Sequence, residues 1–162
     1  EDSKTKMMRW SQLTEVLRRE KCTMVHFDLL DANQERLQRA TTLVIWVVSP
    51  TGQVLAHELV EIQSILDGPH HTQIERLAED MEDVLRIYGR SILRKLYNLC
   101  ISRVQEQIRG CHNLLLVPEG PMCLIPWAAL MDRRGRYLLE SHALRVTPCL
   151  ELLARVHKTL DV

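Results

Sequence analysis

The run NLLLVPEGPMCLIPWAAL, residues 113–130, constrains the fold of this chain more than any other stretch. Only Glu119 carries a charge there at neutral pH, so the run is apolar enough for a buried strand or a membrane span. Pro118, Gly120, Pro121 and Pro126 forbid one continuous element, because each proline fixes φ and removes a backbone donor. The run must therefore be cut into short pieces. NLLLV reads as a strand covered on both faces, as in the interior of an α/β sheet. PEGP is a tight turn at its carboxyl end. MCLIPWAAL is a compact apolar connection, with Trp127 filling space between sheet and helix.

Elements of both kinds precede this run. Ser11, Leu13, Val16 and Leu17 have helical spacing, which predicts an amphipathic helix over Lys6–Glu20. CTMVHFDLL (22–30) reads as a strand and DANQERLQRA as a polar loop. TTLVIWVVSP, rich in β-branched residues, reads as a second strand. SPTGQVLAHELVEI continues it after a turn at Pro50-Thr51-Gly52. The three strands form an antiparallel meander, with Trp46 expected in the core. Ile74, Leu77, Ala78, Met81, Val84, Leu85 and Tyr88 then mark one helix face, which resumes with Ile92, Leu93, Leu96, Cys100 and Val104. Breaks are allowed at Gly89 and near Cys100–Arg103. The acids Glu79 to Asp83 precede the bases Arg90 to Lys95, an order that suits the helix dipole. That charge run is a solvated face or, alternatively, part of a coiled-coil interface. After the proline-punctuated run come a turn at Arg133–Arg136, a short strand from Tyr137, a strand ALRVTP, and a helix capped by Thr147 with Pro148 in its first turn.

Composition excludes several classes of function. With 162 residues, 46% of them apolar, the chain is long enough for one domain with a real core. Lysine plus arginine and aspartate plus glutamate number 21 each, so no net field draws nucleic acid or an anionic membrane. No uncharged run long enough to span a bilayer is free of proline. The opening EDSKTKMMRW is no signal peptide. It lacks an initiator methionine, so the chain is expected to be a piece of something longer. Cys22, Cys100, Cys111, Cys123 and Cys149 are odd in number and contain no C-x-x-C pair, which fits neither a disulfide framework nor a zinc site. Reduced, mostly buried thiols are expected, in the cytosol or nucleus. The His70-His71 pair has no further metal ligands placed by the sequence, so neither metal nor cofactor is expected.

Cys123 is the tempting nucleophile, with His112 or His142 as base. Met122, Leu124 and Ile125 flank it with no basic group nearby, so it is expected to be a buried, inert thiol.

The residues Leu114-Leu115-Leu116-Val117-Pro118-Glu119-Gly120-Pro121 and Leu124-Ile125-Pro126-Trp127-Ala128-Ala129-Leu130 resemble the signature L-L-I-V-P-D-G-P-L-x-x-L-P-W/F-A-A-L of the CHAT domain. This is the caspase-like domain found with tetratricopeptide repeats. Gly135-Arg136-Tyr137-Leu138-Leu139-Glu140 resembles its G-x-Y-L-I-E, and Val146–Leu153, including Pro148, its V-x-Y-A-P-S-L-x-L-L. Leu96-Tyr97 matches its L-Y, and Leu43–Val48 resembles its opening strands. Glu119 departs from the usual aspartate, and Thr147 and Cys149 from small residues. The resemblance covers nearly the whole chain and is most specific from Leu114 to Leu153.

This resemblance implies an α/β domain: the amino-terminal part of a caspase-like fold, with an antiparallel meander and long helices packed on a mixed sheet. The family is related to caspases and separases, whose histidine–cysteine dyad sits in H-x-x-x-H-G and S-A-C-x-T/S-G motifs downstream of the matched segment. Neither motif occurs in these 162 residues. The resemblance therefore assigns no catalytic residue, and the chain reads as a single domain, 1–162, that lacks the catalytic carboxyl-terminal half. Its signature residues Val117, Pro118, Glu119, Gly120, Pro121, Pro126, Trp127, Leu130, Tyr137, Glu140 and Pro148 are expected to be structural. The expected function is a non-catalytic scaffolding module of a cytoplasmic tetratricopeptide-repeat protein that binds protein partners. The alternative is half of an active cysteine endopeptidase. An uncovered sheet edge beside LLLV is expected to pair with the missing half or with another copy of the chain.

Overall fold

The computed structural model describes residues 10–31, 40–62 and 89–150, except the side chains of 31, 40, 41 and 121. Its centre is a five-stranded mixed sheet in the order β3-β2-β1-β4-β5. The strands are β1 (Thr23–Asp31), β2 (Ala40–Val48), β3 (Val54–Glu61), β4 (Asn113–Pro118) and β5 (Ala143–Val146). β1 pairs antiparallel with β2 and β2 with β3, in the strand conformation that their β-branched runs favour. β4 runs parallel to both β1 and β5, so the sheet is antiparallel on one side and parallel on the other.

Helices α1 (Trp10–Glu20), α2 (Gly89–Cys100), α3 (Gln105–Ile108) and α4 (Leu138–Ser141) complete the described architecture. α1 lays Leu13 and Leu17 on one face of the sheet, against Met24, Val48, Leu115 and Val117. α2 closes the other face. Its Ile92, Leu93, Leu96 and Cys100, followed by Val104, are all buried with Val25, Phe27, Leu43, Ile45, Leu114 and Leu116. β4 is therefore apolar on both faces because a core lies on each side of it.

The predicted meander, the α2 face and the doubly covered NLLLV strand are all present. The helical break falls at Ile101, where a 3-10 turn over Ser102–Val104 leads into α3. The predicted helix face from Ile74 to Tyr88, including Leu85, lies outside the described residues, as do the polar loop at 32–39 and His70-His71.

Gly52 shows how tightly the β2–β3 hairpin fits α1. The turn closes through Ser49 N–H to Gln53 O (2.8 Å) and Gly52 N–H to Ser49 O (2.9 Å). Gly52 adopts φ +86°, and a Cβ there would collide with the Thr14 side chain on α1. Gly52→Ala therefore meets both a backbone and a steric penalty. It is expected to destabilise the fold by more than about 1 kcal/mol in urea titration.

Two expectations are corrected. The segment from Tyr137 is not a strand. Tyr137 makes only a single bridge to Met131, and Leu138–Ser141 forms the one-turn helix α4. The Glu140 carboxylate accepts the Tyr137 N–H at 2.8 Å, which caps that turn and draws the chain out of extended geometry. Trp46 is not a core residue either. It lies on the α1 face of the sheet, where it is 37% exposed and stacks on His57 at a centroid distance of 3.9 Å.

Thr147 Oγ1 accepts the Cys149 N–H at 3.4 Å, the contact expected of a helix cap, and Leu150 is already helical. Residues 151–162 lie outside the described residues. Among the described residues, no helix is long and apolar enough to cross a membrane.

Candidate functional site

The apolar run leaves the sheet at the carboxyl end of β4. Leu114, Leu115 and Leu116 are almost fully buried, and Val117 and Pro118 follow them into the core. The Glu119 N–H donates to Phe27 O at 3.2 Å, carrying the β1–β4 ladder one residue past the strand. Gly120 then turns with φ +53°. A Cβ would meet nothing within 4 Å there, so the dihedral rather than space demands glycine. Pro121 opens a 3-10 turn over Gly120–Leu124, and Pro126 precedes a second over Trp127–Ala129.

A 3-10 turn has three residues per turn, so residues three apart face the same way. Met122 and Ile125 accordingly point inward and are buried, while Cys123 and Leu124 between them are exposed. Trp127 is buried and stacks on Phe27, with ring centroids 4.4 Å apart and planes at 26°. Leu130 closes the plug, and its carbonyl accepts the Leu138 N–H at 2.8 Å.

The next turn is organised by Asp132. Its Oδ1 accepts the N–H groups of Arg134 (2.8 Å) and Arg136 (2.9 Å), while Oδ2 accepts Arg136 Nε at 2.9 Å. An ion pair to Arg136 at 2.8 Å completes the set. Burial raises the pKa of this carboxyl, but the hydrogen bonds and charge of Arg136, helped by Arg134, outweigh it and hold the group below its usual value. A carboxyl depressed in the folded state stabilises the fold fully above its unfolded pKa of about 3.9, and that contribution disappears as pH falls through the folded pKa. Stability should therefore decline in acid below about pH 4, and Asp132→Asn should flatten that limb of the pH–stability curve.

All five cysteines are free thiols. Burial pushes Cys22 up to about 11 and raises Cys100 as well, which suits neither to attack a carbonyl. Cys111 is half-buried and its sulfur accepts from Thr23 Oγ1 at 3.2 Å. Cys123 was expected to be buried. It is exposed instead, because its place in the 3-10 turn aims it outward, and its thiol donates to Pro118 O at 3.3 Å.

The candidate bases do not reach it. His112 and His142 stand immediately before β4 and β5, whereas Cys123 follows the carboxyl end of β4. Because β4 and β5 are parallel, both imidazoles lie at the far end of the sheet. A six-residue strand spans about 20 Å. His142 Nδ1 donates to Cys111 O at 2.6 Å, which holds its ring there.

One histidine that the sequence did not single out lies at the correct end. His26 on β1 sits opposite Val117, and its Nε2 is 3.2 Å from Glu119 Oε1. That pair lies on the α1 face of the sheet, since His26 is two residues from Met24 and opposite Val117, both on that face. Met122 and Trp127 belong to the core on the other face. The contact is between residues 93 apart, so no local pattern could signal it. Among the described residues, no group of three or more His, Cys, Asp or Glu side chains could hold a metal ion.

The signature residues named from the sequence lie in the plug, its strand, the hairpin and α4 after it, and, for Pro148, the bend that follows β5. Val117, Pro118, Trp127 and Leu130 pack in the core. Glu119 pairs with His26, Glu140 caps α4 at Tyr137, and Pro148 is an exposed bend before the last helical residue described.

Residues 90–161 match the family model of the CHAT domain. That stretch of the chain is similar to the CHAT domain. The match begins in α2 and runs through the plug, the Asp132 turn, α4 and β5, while the contacts of Cys22, Thr23, His26 and Phe27 come from residues before it. The meander and α1 precede the matched residues and supply the neighbouring strand and the second helical layer. No curated protein matches the chain.

Proposed function

We propose that this CHAT segment is a non-catalytic interaction module, built on a caspase-like fold and working as part of a cytoplasmic scaffold that includes tetratricopeptide repeats. The observation that carries the reading is the separation of thiol and imidazole. The exposed Cys123 and the imidazoles of His112 and His142 stand at opposite ends of parallel strands. His26, at the nearer end, faces the opposite side of the sheet from the plug and pairs with Glu119. A cysteine peptidase needs thiol and imidazole within hydrogen-bond reach and donors aimed at the developing oxyanion.

The residues that define the CHAT signature support the same reading, because their roles here are structural. Prolines and Gly120 set turns, Trp127 and Leu130 fill the core, and Glu119 and Glu140 fix neighbouring groups. The protein partner would bind the surface that this scaffold presents.

The test is a cleavage assay. The folded chain, incubated with a diverse peptide library and followed by mass spectrometry, is expected to leave every peptide intact. Cleavage that disappears on replacing a single cysteine by alanine would establish a peptidase instead.

A further inference from the structure

The turn after the plug gathers positive charge on a fixed frame. Besides the side-chain contacts of Asp132, its N–H donates to Arg136 O at 2.9 Å, and its carbonyl accepts the Gly135 N–H at 3.1 Å. Met131 N–H donates to Leu93 O at 3.4 Å, which docks the turn on α2. Arg94 follows Leu93, and its Nη2 stands 3.8 Å from where a Cβ on Gly135 would lie. Arg90 lies four residues earlier, on the same side of α2. Arg90, Arg94, Arg133 and Arg134 are all exposed.

The acid of the turn is already committed. Asp132 is 8% exposed, and both its oxygens are taken by Arg136 and by the backbone of the turn. Arg134 reaches it only through the backbone N–H, which leaves the guanidinium for another group. Among the described residues, no carboxylate pairs with Arg90, Arg94, Arg133 or Arg134. Like charges four apart on a helix, or side by side in a turn, repel, and an anion set among them removes that cost.

We propose that this face binds an acidic segment of a protein partner, whose carboxylates pair with Arg94 of α2 and with Arg133 and Arg134 of the turn. The proposal rests on the interaction-module reading and names its surface. Guanidinium forks on a fixed backbone suit planar carboxylates, which they hold through two parallel hydrogen bonds. Nucleic acid is the poorer match. Acids and bases number 21 each, so no net field draws a polyanion, and the arginines form a compact patch rather than a stripe along a phosphate backbone.

Fluorescence anisotropy of a labelled hexaglutamate peptide, titrated with the folded chain, tests this. Binding should saturate and weaken as salt is added. Arg133→Glu combined with Arg134→Glu should lower the affinity at least about tenfold, and Arg94→Ala should lower it by a smaller factor. Arg109→Ala should leave it unchanged, because that guanidinium lies beside α3 and already pairs with Glu106. No binding of the peptide, or binding indifferent to the turn variants, would overturn the inference. So would tighter binding of a thymidine oligonucleotide or of phosphatidylserine vesicles through the same arginines. Binding that appears only once Glu79, Asp80, Glu82 and Asp83 are replaced by serine would mean that the chain's own acids fill the surface, and would overturn it too. Circular dichroism confirms folding. Should the double variant fail to fold, Arg133→Gln with Arg134→Gln takes its place, since the backbone contacts to Asp132 are kept, and a loss of affinity is again expected. Either result leaves the non-catalytic reading to its cleavage assay, since no thiol or imidazole takes part in this surface.

Discussion

Trp127→Ala is expected to destabilise the fold by about 3–5 kcal/mol, while Trp127→Phe costs less than about 1.5 kcal/mol. Trp127 is 3% exposed and stacks on Phe27, so truncation removes a large buried ring and leaves a cavity between β1 and the plug. Its indole N–H is buried with no hydrogen-bond acceptor among the described residues, so phenylalanine gives up no bond there and keeps most of the stack. Leu124, three residues earlier in the same apolar run, provides the contrast. It faces solvent, and Leu124→Ala should change stability by no more than about 0.5 kcal/mol. Chemical denaturation of the three variants decides whether the plug is held by the face assigned to it. Equal losses at Trp127→Ala and Leu124→Ala would mean that the 3-10 turn presents the other side.

Leu96→Ala should also cost about 2–5 kcal/mol. Leu96 is 2% exposed at the centre of the α2 face, against the core formed by β1, β2 and β4. No polar group compensates for its removal, and cavity formation adds to the lost transfer free energy. Arg94 and Lys95 lie on the solvent side of the same helix, so alanine at either should be close to neutral. A leucine loss as small as the lysine loss would show that α2 packs by a different face.

The parts legible in the sequence are those with one dominant period. The meander followed from β-branched runs broken at Gly52, and the α2 face followed from the spacing of Ile92, Leu93, Leu96 and Cys100. NLLLV could be read as an interior strand because it is apolar at both parities. Where the reading failed, the deciding physics was different in kind. Cys123 was expected inside because its neighbours are apolar, but a three-residue turn buries Met122 and Ile125 and turns the residues between them outward. Tyr137 looks like a strand residue, yet the Glu140 carboxylate three positions on bends the chain into a helical turn. Trp46 has the spacing of a buried residue, yet it is 37% exposed and stacks on His57, a neighbour that only the β2–β3 register brings to it. The His26–Glu119 pair joins residues brought together only by the parallel β1–β4 pairing.

The resemblance to the CHAT signature was legible because its turn-forming residues are so specific. Pro118, Gly120, Pro121 and Pro126 fix where the chain leaves β4 and how it returns to the core. Those residues describe a backbone path. They do not name a reaction, and fold alone does not supply one.

The central claim is that no thiol in this chain is activated for catalysis, and the rate at which each cysteine reacts in the folded protein tests it most directly. Time-resolved alkylation with a cysteine-peptidase probe, read site by site by mass spectrometry, is expected to label Cys123 first because it is exposed. It should do so only at the rate of an unassisted thiol, with Cys22 and Cys100 protected until the chain unfolds. Replacing His26, His112 or His142 by alanine should leave the Cys123 rate unchanged. Rapid stoichiometric labelling of one cysteine, lost when one histidine is replaced, would contradict the account.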